Sequence, residues 1–298
     1  MSQLLLPPSG ADTAERLRGI GLICLAVFLF NILDTCAKYA GRFVPTLEVA
    51  WTRYAIALIF AVAVLRPWRS LAQYRFERPV VQVVRAILLM MSSVFNFLAL
   101  LYLQLAEAVS IAFAAPLITT AVAGPLLGEW AGPRRWIAVV AGFIGVLVIL
   151  EPTPADFRVE ALFSVGAAIS NAGYLLTTRL LAGTTSAPAM LIFGTAISAL
   201  LLTPAMPPIA VLPPYWTVTA ALVVSGAMGA LGHYCLIVAH TKAPSIVLAP
   251  FAYTQIIWMV ISGYLIFGDW PGPTTLIGGA IVIASGLYIL YRESIRRS

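Results

Sequence analysis

Gly128-Glu-Trp-Ala-Gly-Pro133 returns as Gly268-Asp-Trp-Pro-Gly-Pro273, 268 − 128 = 140 residues further along a chain of 298. Each copy stands between two long apolar runs, and the dipeptide that follows differs: Arg134-Arg135 after the first, Thr274-Thr275 after the second. Membranes hold Lys and Arg on their cytoplasmic side. The first copy therefore reads as a cytoplasmic loop and the second as an external one. A unit repeated with opposite orientation is an architecture of secondary transporters, which place the substrate between the halves near the bilayer midplane.

Composition agrees with a membrane protein. The chain is 61% hydrophobic and 10% charged, against about 25% charged residues in a soluble domain. Its net charge of +6 is no nucleic-acid footprint, because the basic residues fall in short loops where anionic headgroups act on them. Cys24, Cys36 and Cys235 all lie within apolar runs and form no disulfide framework.

Ten apolar segments of about 17–25 residues are each long enough to span the hydrocarbon core. They fall near 19–40, 46–66, 82–103, 107–127 and 134–151, then 160–181, 187–204, 217–239, 243–267 and 274–292. The expected fold is all-α and polytopic: ten transmembrane helices in two inverted five-helix repeats, 19–151 and 160–292. The first segment carries Asp34 and lacks a small-residue cleavage site, so it is not a signal peptide. With the N-terminus inside, 14 of the 18 Lys and Arg are cytoplasmic, Arg85 counted among them. Lys38, Arg42 and Arg158 are external, and Arg53 falls within the second segment. This asymmetry places both termini in the cytoplasm. Five segments per half is an odd number, so the second repeat enters inverted.

Several chemistries are excluded. Lys38 and Lys242 are the only lysines, and neither follows a glycine, so there is no P-loop. His233 and His240 form no metal-ligand spacing, and no cofactor or metal is expected. Gly226-Ala-Met-Gly229-Ala-Leu-Gly232 lacks the start of a dinucleotide loop and reads as a small-residue face for helix packing.

The run Ala106-Glu-Ala-Val-Ser-Ile through Ala115-Pro-Leu to Gly128-Glu129, with its echo Ala243-Pro-Ser-Ile to Gly268-Asp269, resembles the EamA family of the drug/metabolite transporter superfamily. In the second copy the family's acidic-Pro pair is replaced by Gln255-Ile256. Over its full length the chain looks most similar to the YddG-type aromatic amino acid exporters. The resemblance implies a cavity lined by helices 1–4 and 6–9. It also implies export of aromatic amino acids and related small compounds across the bacterial inner membrane by a monomer, without ATP and without nucleic-acid partners.

Polar residues within the spans are the candidate substrate-binding groups. Asn31, Asp34 and Lys38 share one face of the first segment. An intramembrane carboxylate must line a cavity or pair, and Lys38 is within reach of Asp34. Both readings stand. Ser93 and Asn96 lie in the third segment, Asn171 and Tyr174 in the sixth, His233 in the eighth, and Tyr253, Gln255 and Trp258 in the ninth. Such side chains either bind substrate or join helices. His233 either carries a proton or serves as a neutral hydrogen-bonding group. Pro116 and Pro250 interrupt the fourth and ninth segments, where they act as hinges or as static kinks. Two other functions are open to a chain of this kind: an integral-membrane enzyme, for which its scattered acids are poorly suited, or a scaffold without cargo.

Overall fold

The computed structural model describes residues 10–69, 74, 78–115, 117–119, 121–122, 132–150, 159–181, 184–243, 248 and 251–297. Among these residues there is no strand. The principal helices are α1 (Gly10–Ala40), α2 (Thr46–Leu65), α3 (Pro79–Tyr102), α4 (Leu105–Ala112) and α5 (Pro133–Leu150), followed by α6 (Ala161–Leu181), α7 (Ala187–Leu202), α8 (Trp216–Lys242), α9 (Gln255–Ser262) and α10 (Pro273–Arg297). A π-turn, Gly263–Phe267, extends α9.

Among the described residues, five stretches are long and apolar enough to cross a membrane: Ala14–Ala40, Thr46–Arg69, Pro79–Tyr102, Ala187–Ile209 and Trp216–Leu236. Shorter apolar helices, Trp136–Leu150, Gln255–Phe267 and Pro273–Ile289, accompany them, in keeping with the polytopic fold expected. α6 has 21 residues but carries Ser164, Ser170, Asn171, Thr177 and Thr178. α4 and α9 have 8 residues each. α4 stops at Ala112, the residue whose carbonyl Pro116, lacking an N–H, cannot satisfy. Phe113 and Ala114 then form a turn, and so do Tyr253 and Thr254 just before α9. The two breaks are 253 − 113 = 140 residues apart, the offset of the repeated hexapeptide. Their rings meet edge-to-face, Phe113 against Tyr253 with centroids 4.9 Å apart. Pro116 and Pro250 themselves lie outside the described residues, as do positions 128–131 of the first hexapeptide.

The helices pack in exchanged pairs. α1 runs along α8, and α6 along α3; α2 meets α8, and α7 meets α3; α1 meets α9, and α6 meets α4. Three further pairs join like positions of the two halves: α2 with α7, α4 with α9, and α5 with α10. Small residues permit these approaches. A Cβ on Gly278 of α10 would stand 2.5 Å from the Gly145 carbonyl of α5. On α8, a Cβ at Gly226 would meet Ile56 at 2.5 Å, and one at Gly232 would meet Phe30 at 2.7 Å. The core is mostly Ala, Leu and Val. Ile59, Val140, Leu147, Leu200 and Ile277 face outward, as a lipid-facing surface requires.

Candidate functional site

α2, α3, α6, α7 and α8 enclose a cavity lined by Arg53, Arg85, Tyr174, Thr195, Gly229 and His233 among others. Arg53 is 6% exposed and Arg85 is 4% exposed. Arg53 is seven residues into α2, about 10 Å from its start, and Arg85 is six residues into α3, about 9 Å. Ionisable groups at such depth are costly and mark pathways or sites.

Each guanidinium is held by neutral partners from several helices. Arg53 donates from Nη1 to Ser93 Oγ at 2.7 Å and from Nη2 to His233 Nε2 at 3.3 Å. The Tyr54 hydroxyl lies 2.7 Å from the same serine oxygen, and Arg53 stacks over the Tyr54 ring at 4.6 Å. Arg85 donates to Thr178 Oγ1 at 2.8 Å, to the Met190 carbonyl at 3.0 Å and to the Tyr174 hydroxyl at 3.1 Å. It also lies over the Tyr174 ring at 4.7 Å. A glycine makes room for each: a Cβ on Gly229 of α8 would lie 3.4 Å from Arg53 Nε, and one on Gly194 of α7 would lie 3.2 Å from Arg85 Nη1. The Gly226–Gly232 face thus seats neighbouring helices and houses a guanidinium as well. Arginine only donates, so His233 accepts at Nε2 and carries its hydrogen on Nδ1.

The open volume is about 20 Å³, close to the room one water molecule needs. An amino acid is larger, so the enclosing helices must part to admit one.

Of the nine substrate-binding candidates read from the sequence, Tyr174 and His233 line this cavity. Asp34 accepts from Asn96 at 3.0 Å, joining α1 to α3. Asn31 donates to Ser262 Oγ at 2.8 Å, joining α1 to α9. Trp258 packs edge-on against Phe28 at 4.9 Å, Tyr253 is buried against Phe113, and Asn171 and Gln255 are half-buried. The lysine expected within reach of Asp34 goes elsewhere. Lys38 Nζ donates to Asp269 Oδ2 at 3.1 Å and to the Leu103 carbonyl at 2.6 Å. Gly268 adopts φ +73°, the left-handed cap that glycine tolerates, and the turn delivers Asp269 to Lys38. From the sequence Arg53 either snorkels or attracts a substrate carboxylate and Arg85 counts as a cytoplasmic anchor, because an arginine near the end of an apolar run looks like a headgroup anchor; the structure brings both to the cavity. Their depth within the runs was the available signal.

Residues 17–151 match the EamA-like transporter family. An S-adenosylmethionine uptake transporter of Rickettsia felis is 30% identical over 93% of this chain and 94% of its own. A riboflavin transporter of Vibrio cholerae is 29% identical over 93% of this chain and 94% of its own. A pseudopaline exporter of Pseudomonas aeruginosa is 24% identical over 90% and 94%. A protein crystal structure shares the fold with a TM-score of 0.65, at 19% identity, over 96% of this chain and 98% of its own. With its apolar helices and full-length likeness to such carriers, the chain is a multi-pass membrane protein and belongs to the EamA-like transporter family.

Proposed function

We propose that this protein is a secondary transporter for amino acids that carry a flat ring, aromatic amino acids foremost, exporting them across the bacterial inner membrane. Residues 19–151 and 160–292 act as inverted repeats that rock about the cavity. The exchanged helix pairs and the matched breaks at Phe113 and Tyr253 support that division. The observation that carries the substrate reading is the pair of buried guanidiniums beside Tyr54 and Tyr174. A guanidinium binds a carboxylate bidentately, and an aromatic ring stacks on tyrosine.

The relatives' names favour one second reading, S-adenosylmethionine itself. It too joins an amino-acid head to a flat ring. It also carries a sulfonium and an ammonium against one carboxylate. The cavity already holds two arginines, and that excess of positive charge favours a zwitterion such as phenylalanine.

Purified protein in liposomes tests the assignment by counterflow of phenylalanine, alanine, S-adenosylmethionine and riboflavin. Phenylalanine should exceed alanine by on the order of tenfold, from ring burial. S-adenosylmethionine transport without phenylalanine transport would replace the aromatic reading with the second one. Equal rates for alanine and phenylalanine would remove the ring from the specificity. No transport of any of the four would refute both readings.

A further inference from the structure

We infer that the acid group is the recognition element of this cavity, and that its ligands are flat-ringed carboxylates whose amine is dispensable. The inference rests on the transporter reading above and narrows it.

Charge accounting leads there. The ion pairs formed among the described residues are Arg18–Glu15, Lys38–Asp269 and Lys242–Glu15. Neither Arg53 nor Arg85 takes part in one. Their hydrogen-bond partners are a serine, a threonine, a tyrosine, a histidine and a backbone carbonyl, all neutral acceptors. Arg53 Nε is buried with no hydrogen-bond partner among the described residues. A buried donor left unpaired is costly, and two buried cations on one small cavity repel each other. A carboxylate between them would offset both charges and would give Arg53 an acceptor.

An ammonium finds nothing comparable. Among the described residues no Asp or Glu lines the cavity. Asp34 is close enough to feel the charge of Arg53, but it is tied to Asn96 through Oδ1 between α1 and α3 and lies outside the lining of the cavity. An amine entering with the acid would face two guanidiniums. The helix arrangement also puts the two arginines in exchanged positions: α2 brings Arg53 against Gly229 of α8, and α3 brings Arg85 against Gly194 of α7. The second half of the bundle thus contributes both glycines, each accommodating a cation of the first half, with both cations turned to the same space.

The test uses the full chain in lipid nanodiscs and calorimetric titration with four probes: phenylalanine, 3-phenylpropionate (acid without amine), phenethylamine (amine without acid) and butyrate (acid without ring). 3-Phenylpropionate should bind at least as tightly as phenylalanine, and phenethylamine at least tenfold more weakly, as expected for loss of a buried charge partner. Arg53→Gln and Arg85→Gln should each weaken 3-phenylpropionate by on the order of tenfold or more and leave phenethylamine unchanged. Arg85→Lys keeps the charge should the glutamine variant fail to fold, and should retain part of the acid's affinity. Phenethylamine binding as well as the acid would overturn the inference, and so would phenylalanine binding without 3-phenylpropionate; the transporter reading survives either result. Butyrate binding as well as 3-phenylpropionate would uphold the acid group and remove the aromatic substrate. Binding of none of the four would overturn the inference together with the aromatic reading.

Discussion

Lys38 is 7% exposed, and a buried ammonium needs compensation. Three groups supply it: the Asp269 carboxylate, the Leu103 carbonyl at the end of α3, and the Phe267 ring face 5.1 Å away. The contact ties α1, α3 and the turn after α9 at one end of the bundle, where a substrate would have to pass. Asp269→Asn should cost about 1–3 kcal/mol, below the roughly 3–5 kcal/mol of a fully buried pair, because the Asp269 side chain keeps 29% exposure. Lys38→Met with Asp269→Asn should recover part of that loss. Melting in detergent across the double-mutant cycle measures it, and a coupling near zero would show that the pair does not hold this end closed.

At the scale of helices, two kinds of contact separate. α5 and α10 cross through Gly145 and Gly278 with no free space, yet neither lines the cavity. Gly278→Ala should therefore destabilise the protein by about 1–3 kcal/mol through overpacking and leave ligand affinity unaltered. Thermal melting and titration on one preparation check both halves of that statement. α4 and α9 differ: short and interrupted, they meet at their breaks through Phe113 and Tyr253. Pro116 and Pro250 are proposed hinges of this pair. Replacing both by Ala restores a backbone bond in each helix and should trap one access state. Transport should fall severalfold while binding persists, and unchanged transport in the double variant would exclude the hinge.

Across the whole molecule, the basic residues set the orientation. They predict cytoplasmic termini, and on that orientation Asp269, and Thr274 at the start of α10, are expected on the external side. In a variant with Cys24, Cys36 and Cys235 replaced by Ala, Thr274→Cys should react with an impermeant maleimide in intact cells. Reaction only after lysis would invert the topology. The small cavity volume adds a second expectation. Because the enclosing helices must separate to admit a ligand, substrate should shift labelling at positions between α2 and α7. Unchanged labelling at saturating phenylalanine would mean that the site opens elsewhere.

Local chemistry written in the chain determined the helices, the membrane setting and the places where helices fail. Apolar runs between basic loops have no other solvent than lipid, and a proline without an N–H ends α4 at Ala112 wherever that helix packs. The 140-residue offset was legible in the hexapeptides and reappears in the turns at Phe113 and Tyr253. Choice of partner was not legible. Periodicity puts Asp34 and Lys38 on one face, yet Asp34 takes Asn96, and Lys38 takes a residue 231 positions away. Arg85 reads as a headgroup anchor until α6 and α7 surround it with Tyr174, Thr178 and the Met190 carbonyl. A helix sequence states which residues share a face. Which groups then meet across a dry interior depends on how distant helices cross, and only the tertiary structure decides that.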